Sequence, residues 1–163
     1  MDTIREQLVK KAYSPTDKLK KYAVWSASLL VAILLATLVL LFLGRGFVPI
    51  AVLFAGLVMW GGYYLGGNFN IEYEYVVAGR EITIDKIIDK RKRKTLCSFD
   101  LKQADAFYNS QKEANNASVV YACGEGDIYT IEFSDRSLGR CFLQFTPDEK
   151  TLQMITKYLP RAI

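Results

Sequence analysis

The chain is 163 residues long, 51% hydrophobic and formally +4 at pH 7, and it contains no histidine. Ser-His-Asp and Cys-His catalysis and histidine-based metal sites are therefore excluded. Three cysteines, Cys97, Cys123 and Cys141, lie far apart without a CxxC pair, which fits reduced core thiols better than a disulfide framework or a thiolate metal centre.

Residues 1–21 read as a basic cytosolic arm with six bases and three acids. Thr3 is placed to cap a helix carrying Ile4, Leu8 and Val9 along one side. Ser14-Pro15-Thr16-Asp17 then offers a cap, a proline in the first turn and an acid three residues after the cap. A second helix is expected to start there and run into the apolar stretch that follows. Arg5, Lys10, Lys11, Lys18, Lys20 and Lys21 make this arm a positive flank that sets topology. A basic interfacial segment lying on anionic lipid is the alternative.

Residues 22–67 read as a two-helix transmembrane hairpin. The spans 22–43 and 47–65 hold no Asp, Glu, Lys or Arg, and only Gly44, Arg45 and Gly46 separate them. A hydrocarbon core of ~30 Å needs roughly 20 apolar residues at ~1.5 Å rise. Backbone polar groups in lipid must be satisfied internally, so both spans are expected to be helical. The first run is too long for a signal-peptide core and lacks a small-x-small cleavage site, so it is expected to be retained. Lysine and arginine crowd the outer flanks of the pair, while the connecting turn has only Arg45. Both termini are therefore expected on the cytoplasmic side of a cell membrane. Trp25, Trp60, Tyr63 and Tyr64 would form the interfacial belt on that side. Ser28, Ala32 and Ala36 on the first helix, with Ala51 and Ala55 on the second, give small stripes for close packing. Gly62 and Gly66 add a GxxxG spacing, passive or dimerising. The spans contain no ionisable group of the kind that transporters and proton relays need.

The remaining residues, 68–163, are expected to form one cytosolic domain. Apolar and polar residues alternate from Ile71 to Val77, and after the turn at Ala78-Gly79-Arg80 the strand pattern resumes at Ile82, Ile84 and Ile88. A turn at 89–92 leads to a third strand with Thr95, Cys97 and Phe99, and residues 101–108 give a weaker fourth. Residues 109–118 are polar and read as a loop. Residues 119–123 and 128–133 are expected to pair as a hairpin around Gly124-Glu125-Gly126-Asp127. Residues 140–145 form a seventh strand. Thr146-Pro147-Asp148-Glu149 then reads as a helix start with Thr146 as cap, and Leu152, Ile155, Tyr158 and Leu159 supply one apolar face before Pro160.

Seven antiparallel strands followed by one helix is the order of a pleckstrin-homology-like (PH-like) barrel. The stretch from Glu72 through Tyr73, Tyr75, Gly79 and Arg80 to Ile82 and Ile84, followed by Arg91-Lys92-Arg93-Lys94, resembles bacterial PH-like membrane proteins. With the opening Met1-Asp2-Thr3-Ile4-Arg5-Glu6-Gln7-Leu8, the whole chain is similar to small clostridial two-span membrane proteins of unknown function with such a domain. The resemblance implies the fold and the anchor; it implies no catalytic residue and no cofactor.

Residues 68–163 hold fourteen bases and fourteen acids, but residues 86–94 hold six bases against Asp89 alone, a local +5. Lys86, Lys90, Arg91, Lys92, Arg93 and Lys94 are thus the candidate contacts for anionic lipid. The first strand leaves the membrane and the second returns, so the turn between the second and third strands should face the bilayer again. The domain is neutral overall and lacks an aromatic nucleic-acid platform, so no nucleic acid is expected. Neither Gly61-Gly62 nor Gly124-Glu125-Gly126 has phosphate-loop spacing. Glu72 with Glu74 and Asp148 with Glu149 suit solvent and a helix start rather than an acid–base dyad. Asn116-Ala117-Ser118 matches the glycosylation pattern in a loop expected to be cytosolic. The sequence therefore points to a membrane-anchored, non-enzymatic module that binds the lipid surface or a protein partner, or forms a homo-oligomer. The alternative is a structural or regulatory subunit that joins a larger membrane complex through its hairpin.

Overall fold

The computed structural model describes residues 4–12, 15–111, 117–135 and 139–160. The roles expected of Thr3, Ser14 and Asn116 fall outside these residues. The chain divides into two compact units: residues 13–70 form one, and residues 1–12 join 71–163 to form the other.

The first unit is a helical hairpin. Helix α1 (Pro15–Leu43) and helix α2 (Val48–Gly67) are joined by a short 3-10 turn, Arg45–Phe47. Gly44 enters that turn at φ +84°, a conformation favourable only for glycine. Pro49 lies in the first turn of α2, where its missing N–H removes no helical bond. At ~1.5 Å per residue, α1 is about 44 Å long and α2 about 30 Å. Both are long and apolar enough to cross a membrane. Neither has a pronounced polar face, and most of their large apolar side chains are exposed, as suits lipid-facing helices.

The second unit is built from eight strands among the described residues, in two four-stranded sheets, rather than a seven-strand antiparallel barrel. The additional strand is β1 (Ile4–Lys10), the segment expected to be a Thr3-capped helix. It pairs antiparallel with β2 (Ile71–Ala78), from Ile4 opposite Ala78 to Lys10 opposite Glu72. Ile4 and Leu8 have helical spacing, but strand period 2 puts both on the exposed face. Arg5, Gln7 and Val9 turn inward instead. Gln7 accepts from the Asp148 amide at 2.9 Å and donates to the Thr146 carbonyl at 3.3 Å. Arg5 pairs with Asp148 at 2.7 Å. Pairing with β2 and three inward contacts outweigh the weak helical preference of seven residues.

The first sheet continues with β3 (Glu81–Ile88) and β4 (Lys92–Asp100) in the order β1-β2-β3-β4. The extra residue Leu96 makes a bulge between the Ile84–Cys97 and Asp85–Thr95 pairs. A one-turn 3-10 segment, Leu101–Gln103, leads to β5 (Ala104–Tyr108) in the second sheet. That sheet has the order β5-β7-β8-β6, with β6 (Ser118–Ala122), β7 (Tyr129–Asp135) and β8 (Gly139–Phe145). The β6–β7 hairpin expected around Gly124 does not form. Strand β6 crosses to the far side of β8 and pairs with it in parallel, Ser118 opposite Cys141 through Ala122 opposite Phe145. The amide of Gly124 donates to Thr146 Oγ1 at 2.8 Å, which holds the segment after β6 against the end of β8.

The inner faces of the two sheets share one core of Tyr75, Val77, Ile82, Ile84, Ile131, Leu143 and Phe145, closed by Ile155. Phe99 and Phe133 stack across it at 4.0 Å, and Tyr75 meets Phe145 edge-on. Full burial of each such side chain contributes roughly 1.5–3 kcal/mol. The Tyr75 hydroxyl donates to the Ala122 carbonyl and accepts from the Thr146 amide at 3.3 Å. Burial pushes its pKa up to about 12, against the hydrogen bonds from Thr146.

Helix α3 (Glu149–Tyr158) is capped by Asp148, whose Oδ1 accepts from the Thr151 amide at 2.7 Å. The cap expected at Thr146 is displaced by two residues because the Thr146 side chain is engaged with Gly124. Burial alone would raise the Asp148 pKa. Hydrogen bonds from Thr151 and the Arg5 guanidinium outweigh it and hold the carboxyl below its usual range.

Two outcomes follow from these contacts. A Cβ on Gly124 would strike Val9 and lie 2.7 Å from the Lys10 carbonyl oxygen. Gly124→Ala should therefore loosen β1 and cost about 1–3 kcal/mol, read as faster amide exchange across residues 4–10. Asp148→Ala should cost about 1 kcal/mol at pH 7 through loss of the cap. Because the folded-state pKa is depressed, this contribution is full above the ordinary carboxylate pKa and is lost as pH falls through the folded value. Thermal unfolding midpoints of the two chains should thus converge on acidification.

Candidate functional site

The β3–β4 connection is the three-residue segment 89–91, closed by a tight turn centred on Asp89 and Lys90. The Arg91 amide donates to the Ile88 carbonyl at 3.0 Å, and Asp89 and Lys90 both have positive φ, 50° and 56°. This is the primed turn whose twist matches the flanking strands, built without the usual glycine. The φ of Lys90 is unfavourable for a side chain by roughly 1–2 kcal/mol. Lys90→Gly should raise the stability of the sheet unit by about 1 kcal/mol, seen as a higher unfolding midpoint of the detergent-solubilised chain.

The register sets where the turn lies. Lys10, Glu72, Ile87 and Arg93 are successive partners across the sheet, as are Ile71, Ile88 and Lys92. The Lys11 amide donates to the Ile71 carbonyl at 3.0 Å. The basic turn therefore occupies the same sheet end as Lys11 and Ile71, where the chain leaves for the helices and returns from them.

The six bases fall into unlike environments. Arg91 pairs with Asp89. Arg93 pairs with Glu74 at 2.5 Å and with Asp85 at 3.6 Å on the outer face of the sheet. Glu74 and Asp85 are 16% and 9% exposed, so these acids are largely withdrawn from water and held by Arg93. A shallow groove runs here between Leu8, Glu72, Glu74 and Ile87 on one side and residues 90–93 on the other. Both arginines are thus partly neutralised within the fold. Lys86 and Lys94 are directly opposite each other on β3 and β4, and Lys86 is also opposite Tyr73. Neither lysine has an ion-pair partner among the described residues, in contrast to the arginines. Strand alternation separates Lys86 from its neighbours in the sequence, but the bulge at Leu96 hides which β4 residue opposes it.

The small residues of the hairpin divide as well. Ala32 and Ala51 are 4% and 3% exposed, while Ser28, Ala36 and Ala55 are less deeply buried. A Cβ on Gly62 would collide with Ser28, and one on Gly66 with Trp25. The GxxxG spacing therefore faces α1 of the same chain, where missing side chains admit close approach.

Tyr73 and Tyr75 are core residues, whereas Tyr121 lies on the exposed face of β6, so these tyrosines line no common cavity. Burial pushes the Cys97 thiol up to about 12 and the Cys123 thiol up to about 11, and it raises Cys141 as well. Such thiols are poor nucleophiles at neutral pH. No group of three or more Cys, Asp or Glu among the described residues is arranged to hold a metal ion. Sequence reasoning missed the inward role of Arg5 and Gln7. Their signal was the alternation Arg5-Gln7-Val9, masked by the i, i+4 spacing of Ile4 and Leu8.

Two β-sheets closed by a C-terminal helix, with a pair of long apolar helices, define the class: a PH-like domain protein with two candidate membrane spans. The chain belongs to the bacterial PH-like domain family DUF6106, whose profile matches residues 1–163. Searches of curated proteins and of solved structures return no match.

Proposed function

We propose that this chain is a membrane-anchored, non-enzymatic PH-like module whose β3–β4 turn contacts anionic lipid at the cytoplasmic face. The observation that carries this reading is the register, which puts a local +5 charge at the sheet end from which both linkers to the helices depart. The linkers, residues 11–14 and 68–70, are short. Both connections to the helices thus belong to the same sheet end as the basic turn, and neither belongs to the opposite end. Each base close to an anionic leaflet contributes roughly 1 kcal/mol. The helices supply the anchor by length and composition.

The second reading, a subunit assembled through its hairpin, would need a packing surface on the helices. The Gly62 and Gly66 positions are already occupied by α1 of the same chain, which favours the lipid reading.

The lipid reading is tested with the sheet unit freed of its anchor. Because β1 belongs to that unit, a fragment spanning only residues 68–163 would lack a strand. Residues 12–70 are instead replaced by an Asn-Gly turn joining Lys11 to Ile71. This chain should float with phosphatidylglycerol vesicles and not with phosphatidylcholine vesicles. Flotation should fall steeply with salt and when residues 90–94 lose their charges. Equal flotation with both vesicle types would reject lipid docking.

A further inference from the structure

Within the basic cluster, charge compensation is one-sided. Arg91 and Arg93 are held by Asp89, Glu74 and Asp85. Lys86 and Lys94 are a direct cross-strand pair and have no acid partner among the described residues. Like charges directly opposite on adjacent strands destabilise a sheet. Nothing in the register forces lysine at both positions: Lys94 lies on the edge strand of its sheet and is exposed, and Lys86 is half-buried. An anion seated between the two ammonium groups turns that repulsion into two charge-assisted hydrogen bonds.

From this pairing we infer that Lys86 and Lys94 form a two-lysine site for the phosphomonoester headgroup of an anionic lipid. The inference rests on the lipid-docking reading above and specifies its ligand. A phosphomonoester carries roughly −1.5 to −2 charge at pH 7. It therefore matches two ammonium groups, where a phosphodiester headgroup brings a single charge. Its three terminal oxygens can accept from two donors at once, and lysine binds phosphate as a point charge without demanding a planar partner. The arginines are already committed to carboxylates, Arg93 on the opposite face of the sheet, which leaves the anion to the lysines. The sheet end that carries the pair is also the end joined to the anchor, which makes a membrane lipid rather than a soluble phosphate the occupant.

The test uses the full chain in lipid nanodiscs and reads acetylation rates of individual lysines by mass spectrometry. Three discs are compared: phosphatidylcholine alone, phosphatidylcholine with phosphatidic acid, and phosphatidylcholine with phosphatidylglycerol at matched surface charge. Acetylation of Lys86 and Lys94 should slow about fivefold in the phosphatidic acid disc relative to the phosphatidylglycerol disc, with exposed Lys150 unchanged. Arg91→Gln with Arg93→Gln should keep that preference, and Lys86→Gln with Lys94→Gln should abolish phosphatidic acid retention measured by lipid co-purification. Equal protection by both anionic discs overturns the headgroup assignment and leaves lipid docking standing. No protection of any lysine in residues 86–94 in either anionic disc overturns both. Equal protection by inorganic phosphate in the neutral disc overturns a lipid as the occupant.

Discussion

The pairing of Ile4–Lys10 with β2 closes the chain on both sides of the helical hairpin. A segment before the helices and a segment after them become neighbours in one sheet, and the Lys11 amide reaches the Ile71 carbonyl where the ladder ends. That closure reaches three distant parts of the chain. It gives β2 a partner on its outer edge, brings Gln7 and Arg5 to the β8–α3 joint, and brings Val9 against Gly124. The sheet unit is therefore discontinuous in sequence, with the helices as an insertion between its first two strands.

The helical unit is thus connected to the sheet unit at both of its ends. Its two connections join the adjacent strands β1 and β2. The strain of unfavourable backbone at Asp89 and Lys90, and the adjacency of Lys86 to Lys94, occur at this same sheet end. Local features that weaken the isolated fold thus collect where the proposed lipid contact lies, as is common where structure serves binding before stability.

Much of the candidate site was legible in the residues. The bases of 86–94 and their turn stand out by composition, and β2, β3 and β4 follow from alternation that begins at Ile71. The helical spans follow from the absence of charge over 22–43 and 47–65. What could not be read was compensation. Arg93 meets Glu74 only because β2 and β4 flank β3, and Asp85 meets it only because a bulge shifts the register. Those are contacts between residues 8 to 19 positions apart, set by strand order and not by local spacing.

The sequence by itself determined the elements whose signal is local: two apolar helices, three alternating strands, a basic turn and an amphipathic C-terminal helix. Tertiary structure decided the assignments that depend on partners far along the chain. Ile4–Lys10 is a strand because β2 and the segment at Thr146 and Asp148 complete its hydrogen bonds. Strand β6 crosses to β8 because Gly124 is anchored to Thr146, and Thr146, so engaged, leaves the helix cap to Asp148. In each case the local sequence allowed two readings, and a long-range hydrogen bond or close approach accompanies the one adopted.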